Sequence, residues 1–99
     1  MNRSGSDSAP LRAELPGGDL IRAGLEDLAR GEESIPALLV SIGAARIERL
    51  GRAVRNPIAG AERLLYERLR ATDPDAAHSR YNALIRRLVS YERAAECAS

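Results

Sequence analysis

The stretch that decides the fold is residues 77–95, AHSRYNALIRRLVSYERAA. Its apolar residues recur at intervals of four, three, four, three and four positions, which is the heptad spacing of one face of an α-helix. They are Ala77, Tyr81, Leu84, Leu88, Tyr91 and Ala95. This pattern predicts a long, amphipathic C-terminal helix over about residues 74–95.

Shorter helical patterns precede this stretch. Apolar residues at helical spacing follow three residues that can cap a helix, Asp19, Ser34 and Asn56. Another helix is predicted over residues 44–55, separated from the preceding one by a turn at Gly43. No segment alternates apolar and polar residues as a strand does. We therefore predict an all-α fold, a compact bundle of four to five helices.

The domain organisation follows from composition. Residues 1–18 are rich in Ser, Gly and Pro, which predicts a flexible N-terminal arm, and residues 19–99 form a single helical domain. The chain has no Phe and no Trp, so its core must be aliphatic and thin. From this we expect an exposed apolar stripe that needs a partner.

Composition also bears on chemistry and location. All 15 basic residues are arginine, which is typical of high-GC coding sequences and excludes lysine Schiff-base chemistry and a phosphate-loop lysine. The single cysteine, Cys97, cannot form an internal disulfide. No apolar run resembles a signal peptide or a membrane span. We expect a cytoplasmic protein with no membrane partner, no cofactor and no metal.

The apolar face of the last helix is the first candidate interaction surface. Its central residues form a helix seam: Tyr81, Leu84, Ile85, Leu88 and Tyr91. Such a seam either packs into the chain's own core or pairs with the same helix of a second copy, giving a homodimer. The sequence leaves both alternatives open.

A ladder of arginines is the second candidate surface. Arg46, Arg49, Arg52 and Arg55 recur every three residues, in a segment (34–72) that holds seven arginines and three glutamates. On one helix they would fan over the side opposite its apolar residues. The ladder predicts binding to an anion or an acidic partner. Together with the turn at Gly43, the segment also resembles a helix-turn-helix.

The only histidine, His78, is the remaining chemical candidate. Its unperturbed pKa suits general acid–base catalysis. The helical period, however, spreads the neighbouring Ser79, Asn82 and Arg86 over the solvent side instead of aiming them at one point. We therefore assign no catalytic residue.

These observations predict a small, non-enzymatic interaction or regulatory protein. It would act through helix-mediated contacts with a protein partner or with a second copy of itself. The alternative is a DNA-binding regulator, antitoxin-like or transcriptional, that uses the Arg46–Arg55 ladder. A small helical nuclease based on His78 is the third class.

Overall fold

A computed structural model of the chain describes residues 15–98, which contain five α-helices and no strand. The helices are α1 (Gly18–Ala29), α2 (Ile35–Ile42), α3 (Ala44–Arg49), α4 (Ala61–Thr72) and α5 (Ala77–Ala98). The predicted all-α bundle of four to five helices with a long C-terminal helix is confirmed. Within residues 15–98, none of these helices is both long and apolar enough to span a bilayer.

The predicted N-terminal arm, residues 1–18, lies mostly outside the described residues. Its last four residues are described, and they belong to the folded chain. Leu15 is half-buried and packs against the core. Its carbonyl oxygen accepts a hydrogen bond from the Gly18 N–H at 2.7 Å, and Gly18 is the first residue of α1. The helical domain therefore includes Leu15.

α1 and α2 form a closely packed pair. The predicted cap of α2 is confirmed, because Ser34 Oγ accepts a hydrogen bond from the Ala37 N–H at 3.1 Å. The same hydroxyl donates to Asp27 of α1, so the cap also ties the two helices together. Gly24 lies so close to Pro36 that a Cβ at this position would overlap the Pro36 carbonyl oxygen. A side chain at position 24 would push the two helices apart.

The helix predicted over residues 44–55 is shorter than expected, and this prediction was wrong at its C-terminal half. α3 ends at Arg49, and Leu50 closes the last turn by donating its N–H to the Arg46 carbonyl oxygen at 3.0 Å. Gly51 follows with φ 101°, a conformation that glycine adopts readily and that cannot continue a right-handed helix. Residues 52–55 therefore belong to the connection after α3.

The predicted start of the fourth helix at Asn56 was also wrong, since α4 begins at Ala61. Asn56 has φ 53°, and its side-chain Nδ2 donates to the Leu28 carbonyl oxygen at 3.0 Å. It therefore closes the end of α1 instead of opening α4. Nearby, the Ile58 N–H donates to Ser41 Oγ of α2 at 2.9 Å, which holds the connection against the bundle.

α2 is the central element of the core. Residues 37–40 are fully shielded from water, and α1, α4 and α5 pack around this helix. α5 begins at Ala77, three residues later than predicted, because the Ala76 N–H donates to the Asp73 carbonyl oxygen and closes a turn ahead of the helix. One side of α5 covers α2 and α4, and the opposite side faces water.

The exposed apolar stripe that composition predicted is not found in the described part of the chain. Each Leu, Ile, Val and Tyr side chain of residues 15–98 is at least half-buried. The five helices pack around one aliphatic core, and the partly buried apolar side chains lie against it. The described surface therefore offers polar and charged groups to a partner.

Candidate anion-binding face

The predicted arginine ladder does not lie on one helix, because Arg46 and Arg49 belong to α3 while Arg52 and Arg55 follow its end. Arg46 lies on α3 and its Nη2 pairs with Glu96 Oε1 of α5 at 2.8 Å. Arg52 lies beyond the end of α3, and its Nη1 donates to the Tyr91 hydroxyl at 3.4 Å. Arg49 and Arg55 are exposed, the first on α3 and the second in the connection. Two of the four guanidinium groups thus fasten α5 to the segment around α3.

The predicted seam of α5 packs into the chain's own core. Leu88 and Tyr91 are each 4% exposed. Tyr81, Leu84 and Ile85 are half-buried and pack against the same core. The Tyr81 ring also meets the Tyr66 ring of α4 edge-on, with centroids 5.7 Å apart. The alternative of an intramolecular seam therefore accounts for the contacts of all five residues.

His78 is exposed in the first turn of α5. Its Nε2 lies 3.2 Å from the Asn82 side-chain nitrogen, one turn along the same helix. No carboxylate of residues 15–98 is paired with its ring, and these residues contain no group of three or more potential ligands placed to hold a metal ion. In the described chain, His78 and Asn82 form a local pair on the helix surface.

The outer side of α5 carries four exposed arginines, and we call this surface the arginine face. Its members are Arg80, Arg86, Arg87 and Arg93. At 3.6 residues per turn they lie along two edges of the helix about 120° apart. One edge holds Arg80 and Arg87, and the other holds Arg86 and Arg93. Each edge has its two arginines seven residues apart, which is about 10 Å along the helix axis.

Only small side chains lie between the two edges. Ser79, Ala83 and Ser90 are exposed and fall on the line midway between the arginine pairs. Each of these side chains is only a methyl or a hydroxymethyl group. A ligand lying along α5 can therefore approach the helix closely while guanidinium groups reach it from both sides.

No carboxylate neutralises this face within residues 15–98. Every ion pair in that range uses an arginine outside the face: Arg22, Arg30, Arg46, Arg63 or Arg68. The recorded contacts of the two glutamates of α5 involve other groups. Glu92 is buried, and Glu96 pairs with Arg46 of α3. Four positive charges consequently remain together on one side of a single helix.

An open groove runs beside the centre of the face, with a volume of about 390 Å³. The turn before α1 forms one side of it and α5 forms the rest. Its lining residues are Pro16, Gly17, Ala83, Arg86, Arg87 and Ser90. Gly17 fits closely here, because a Cβ at this position would lie 2.9 Å from the Arg87 carbonyl oxygen. The groove thus gives an anionic group a place between arginines of the two edges.

Glu92 is the one buried charged side chain of residues 15–98, with 6% of its surface exposed. Its Oε2 faces Gly43, where a Cβ would lie only 2.7 Å away. Burial raises the pKa of the Glu92 carboxyl, while the positive charges of Arg46 and Arg49 oppose this rise and Glu96 adds to it. The lack of a side chain at position 43 is what admits this carboxylate between α5 and the start of α3.

The sequence did not single out the arginine face or Glu92. Residues 73–99 contain four arginines and four acidic residues, so their net charge is zero and does not indicate a charged surface. The available signal was the doubled spacing of seven, Arg80 to Arg87 and Arg86 to Arg93, which places each pair on one edge of a helix. The burial of Glu92 had no comparable signal, because it depends on Gly43 of another element.

Comparison with models of known protein families, with curated proteins and with solved structures found no match for this chain.

Proposed function

We propose that this chain is a small, non-enzymatic interaction protein that binds an anionic partner through the arginine face. One observation carries the proposal. Arg80, Arg86, Arg87 and Arg93 are exposed together on α5, and no carboxylate of residues 15–98 pairs with any of them. Arginines that make no ion pair within residues 15–98 can offer paired donors to carboxylates or phosphates.

The position of the face on the molecule supports the same function. The apolar side of α5 is anchored in the core, with Leu88 and Tyr91 buried. The helix is therefore held in place, and the backbone that carries the arginines does not have to become ordered when a partner binds. Four clustered charges also produce a local field that attracts an anion although the net charge of the whole chain is only +1.

The chemistry of the rest of the chain fits a role in binding. His78 is paired only with Asn82 in the described residues, which gives a nuclease no converging set of groups. Cys97 is exposed in the last turn of α5, and a free surface thiol suits the reducing cytoplasm, where we place the protein. The contacts of the α5 seam lie within one chain, and pairing of two copies through the seam is the alternative that a melting temperature dependent on protein concentration would reveal.

Elution from a heparin column tests the proposal. The variant carries Arg86→Ala and Arg93→Ala, and the matched control carries Arg63→Ala and Arg70→Ala on α4, where both side chains are also exposed. Both variants lose the same charge. We expect the control to elute close to the wild-type salt concentration and the arginine-face variant to elute clearly earlier, because phosphate-like contacts are lost only there.

Equal elution of the two variants would contradict the proposal, since binding would then follow total charge. Far-ultraviolet circular dichroism of both variants checks that the helices are intact. Surface substitutions of this kind usually change stability by less than about 0.5 kcal/mol.

A further inference from the structure

We propose that the anionic partner is duplex DNA and that the outer side of α5 lies in its major groove. This inference rests on the proposed function, since it names the partner of the same arginine face. It differs from the helix-turn-helix alternative raised by the sequence. In this proposal the last helix contacts the bases and phosphates, and the Arg46–Arg55 segment does not contact the DNA.

The dimensions of the face fit a groove with phosphates on both sides. An α-helix with its side chains is about 10–12 Å across, and the major groove of B-form DNA is about 12 Å wide. A helix in this groove needs cations along both edges, because a phosphate backbone runs along each side. The edge with Arg80 and Arg87 and the edge with Arg86 and Arg93 meet this requirement. The two arginines of each edge lie about 10 Å apart along the helix, so each can contact a separate phosphate of the strand on its side.

The small residues between the edges favour the same arrangement. Ser79, Ala83 and Ser90 let the helix backbone approach the floor of the groove. Serine hydroxyls there can bond to base edges or to phosphates. A large side chain on this line would hold the helix away from the bases.

The absence of an apolar anchor argues against an acidic protein as the partner. Protein interfaces are centred on buried aromatic or aliphatic side chains surrounded by a polar rim. On the exposed side of α5 from His78 to Arg93, the described residues are polar, positively charged or alanine. Interfaces with DNA are more polar and more positively charged than this protein–protein pattern.

The same residues predict weak sequence preference. Asn and Gln read adenine by paired hydrogen bonds, and none lies on the line between the two edges. Asn82, the one amide of α5, is half-buried and contacts His78. Most of the affinity must then come from phosphate contacts, which makes it strongly dependent on salt.

Fluorescence anisotropy of the full chain with a labelled DNA duplex of about 20 base pairs tests the inference. The competing probes are the same sequence as duplex RNA and a polyglutamate of similar charge. We expect DNA to bind at least about tenfold more tightly than duplex RNA, whose deep and narrow major groove does not admit a helix. The logarithm of the association constant should fall with that of salt with a slope of about −3.6 for four contacts, and about −1.8 for the variant with Arg86→Ala and Arg93→Ala.

The outcomes separate this inference from the proposed function. If polyglutamate binds as tightly as DNA, and the two substitutions weaken both, the arginine face binds anions but DNA is not its particular partner. Equal affinity for duplex RNA would overturn major-groove binding. If Arg63→Ala with Arg70→Ala reduces the salt dependence of DNA binding as much as Arg86→Ala with Arg93→Ala does, both proposals are overturned.

Discussion

At the scale of single residues, Glu92 combines two opposed influences. Its carboxylate is buried against Gly43, which disfavours the charged form, and it lies near the positive charges of Arg46 and Arg49, which favour it. The raised pKa indicates that burial is the larger influence. Burial of the charged carboxylate at neutral pH therefore lowers the free energy of unfolding, whereas burial of the protonated carboxyl would not.

Glu92→Gln should stabilise the protein at pH 7, because the uncharged amide avoids the cost of burying a carboxylate. The folded-state pKa lies above the ordinary value of 4.5, so the folded chain binds this proton more tightly than the unfolded chain does. The contribution of Glu92 to the free energy of unfolding is consequently largest below pH 4.5 and falls as pH rises through the folded-state pKa. Urea unfolding of wild type and variant at acid and neutral pH measures this difference.

The matched control is Glu48→Gln, because Glu48 is exposed on α3. It should change the free energy of unfolding by less than about 0.5 kcal/mol. A Glu92→Gln protein less stable than wild type at pH 7 would mean that attraction to Arg46 and Arg49 outweighs burial.

Single residues also show how far the sequence could predict local structure. The cap at Ser34 was predictable because its partner, the Ala37 N–H, is three residues away. The role of Asn56 was not, because its side chain bonds to the Leu28 carbonyl oxygen, 28 residues away. In sequence, the pair Asn56–Pro57 looks like a helix start, and only the packed chain shows that the amide closes α1 instead.

At the scale of elements, α3 shows why the arginine ladder does not lie on one helix. Its spacing is helical from Arg46 to Arg55, and a helix over that range would have kept the apolar residues Ile47, Leu50 and Val54 together. Gly51 turns the chain instead, and Val54 still reaches the core at 7% exposure from the connection. Periodicity predicted which residues face the core but could not predict where the helix ends.

The seam of α5 gives the prediction at this scale. Leu88→Ala should lower the free energy of unfolding by about 2–5 kcal/mol, since the side chain is 4% exposed and lies against Gly43. Leu84→Ala is the control, and it should cost less because Leu84 is only half-buried. Urea unfolding followed by circular dichroism measures both.

The same variants address association of two copies. With the seam packed inside one chain, the melting temperature of the wild type should not change between about 10 µM and about 1 mM protein. A melting temperature that rises with concentration, together with a larger loss for Leu84→Ala than for Leu88→Ala, would show that the exposed part of the seam pairs with a second copy.

At the scale of the whole molecule, folding separates acidic from basic side chains that balance one another in residues 73–99 of the sequence. Of the acidic residues on α5, folding buries Glu92 and pairs Glu96 with Arg46, while four arginines of the same helix stay exposed. The all-α class and the long last helix were predictable because they follow from periodicity. The spacing of seven could have predicted the two edges of the arginine face, but the pairing of Glu96 with Arg46 could not have been predicted, because it depends on where α3 lies against α5.

The most direct test of the arginine face as the binding surface is an NMR titration of the ¹⁵N-labelled chain with a heparin tetrasaccharide. We expect the largest amide shifts to fall between Ser79 and Arg93, with the amides of α4 nearly unmoved, because four exposed arginines that make no ion pair within residues 15–98 cluster on the outer side of α5. Shifts centred instead on Arg46–Arg55, or spread over all exposed arginines alike, would contradict it.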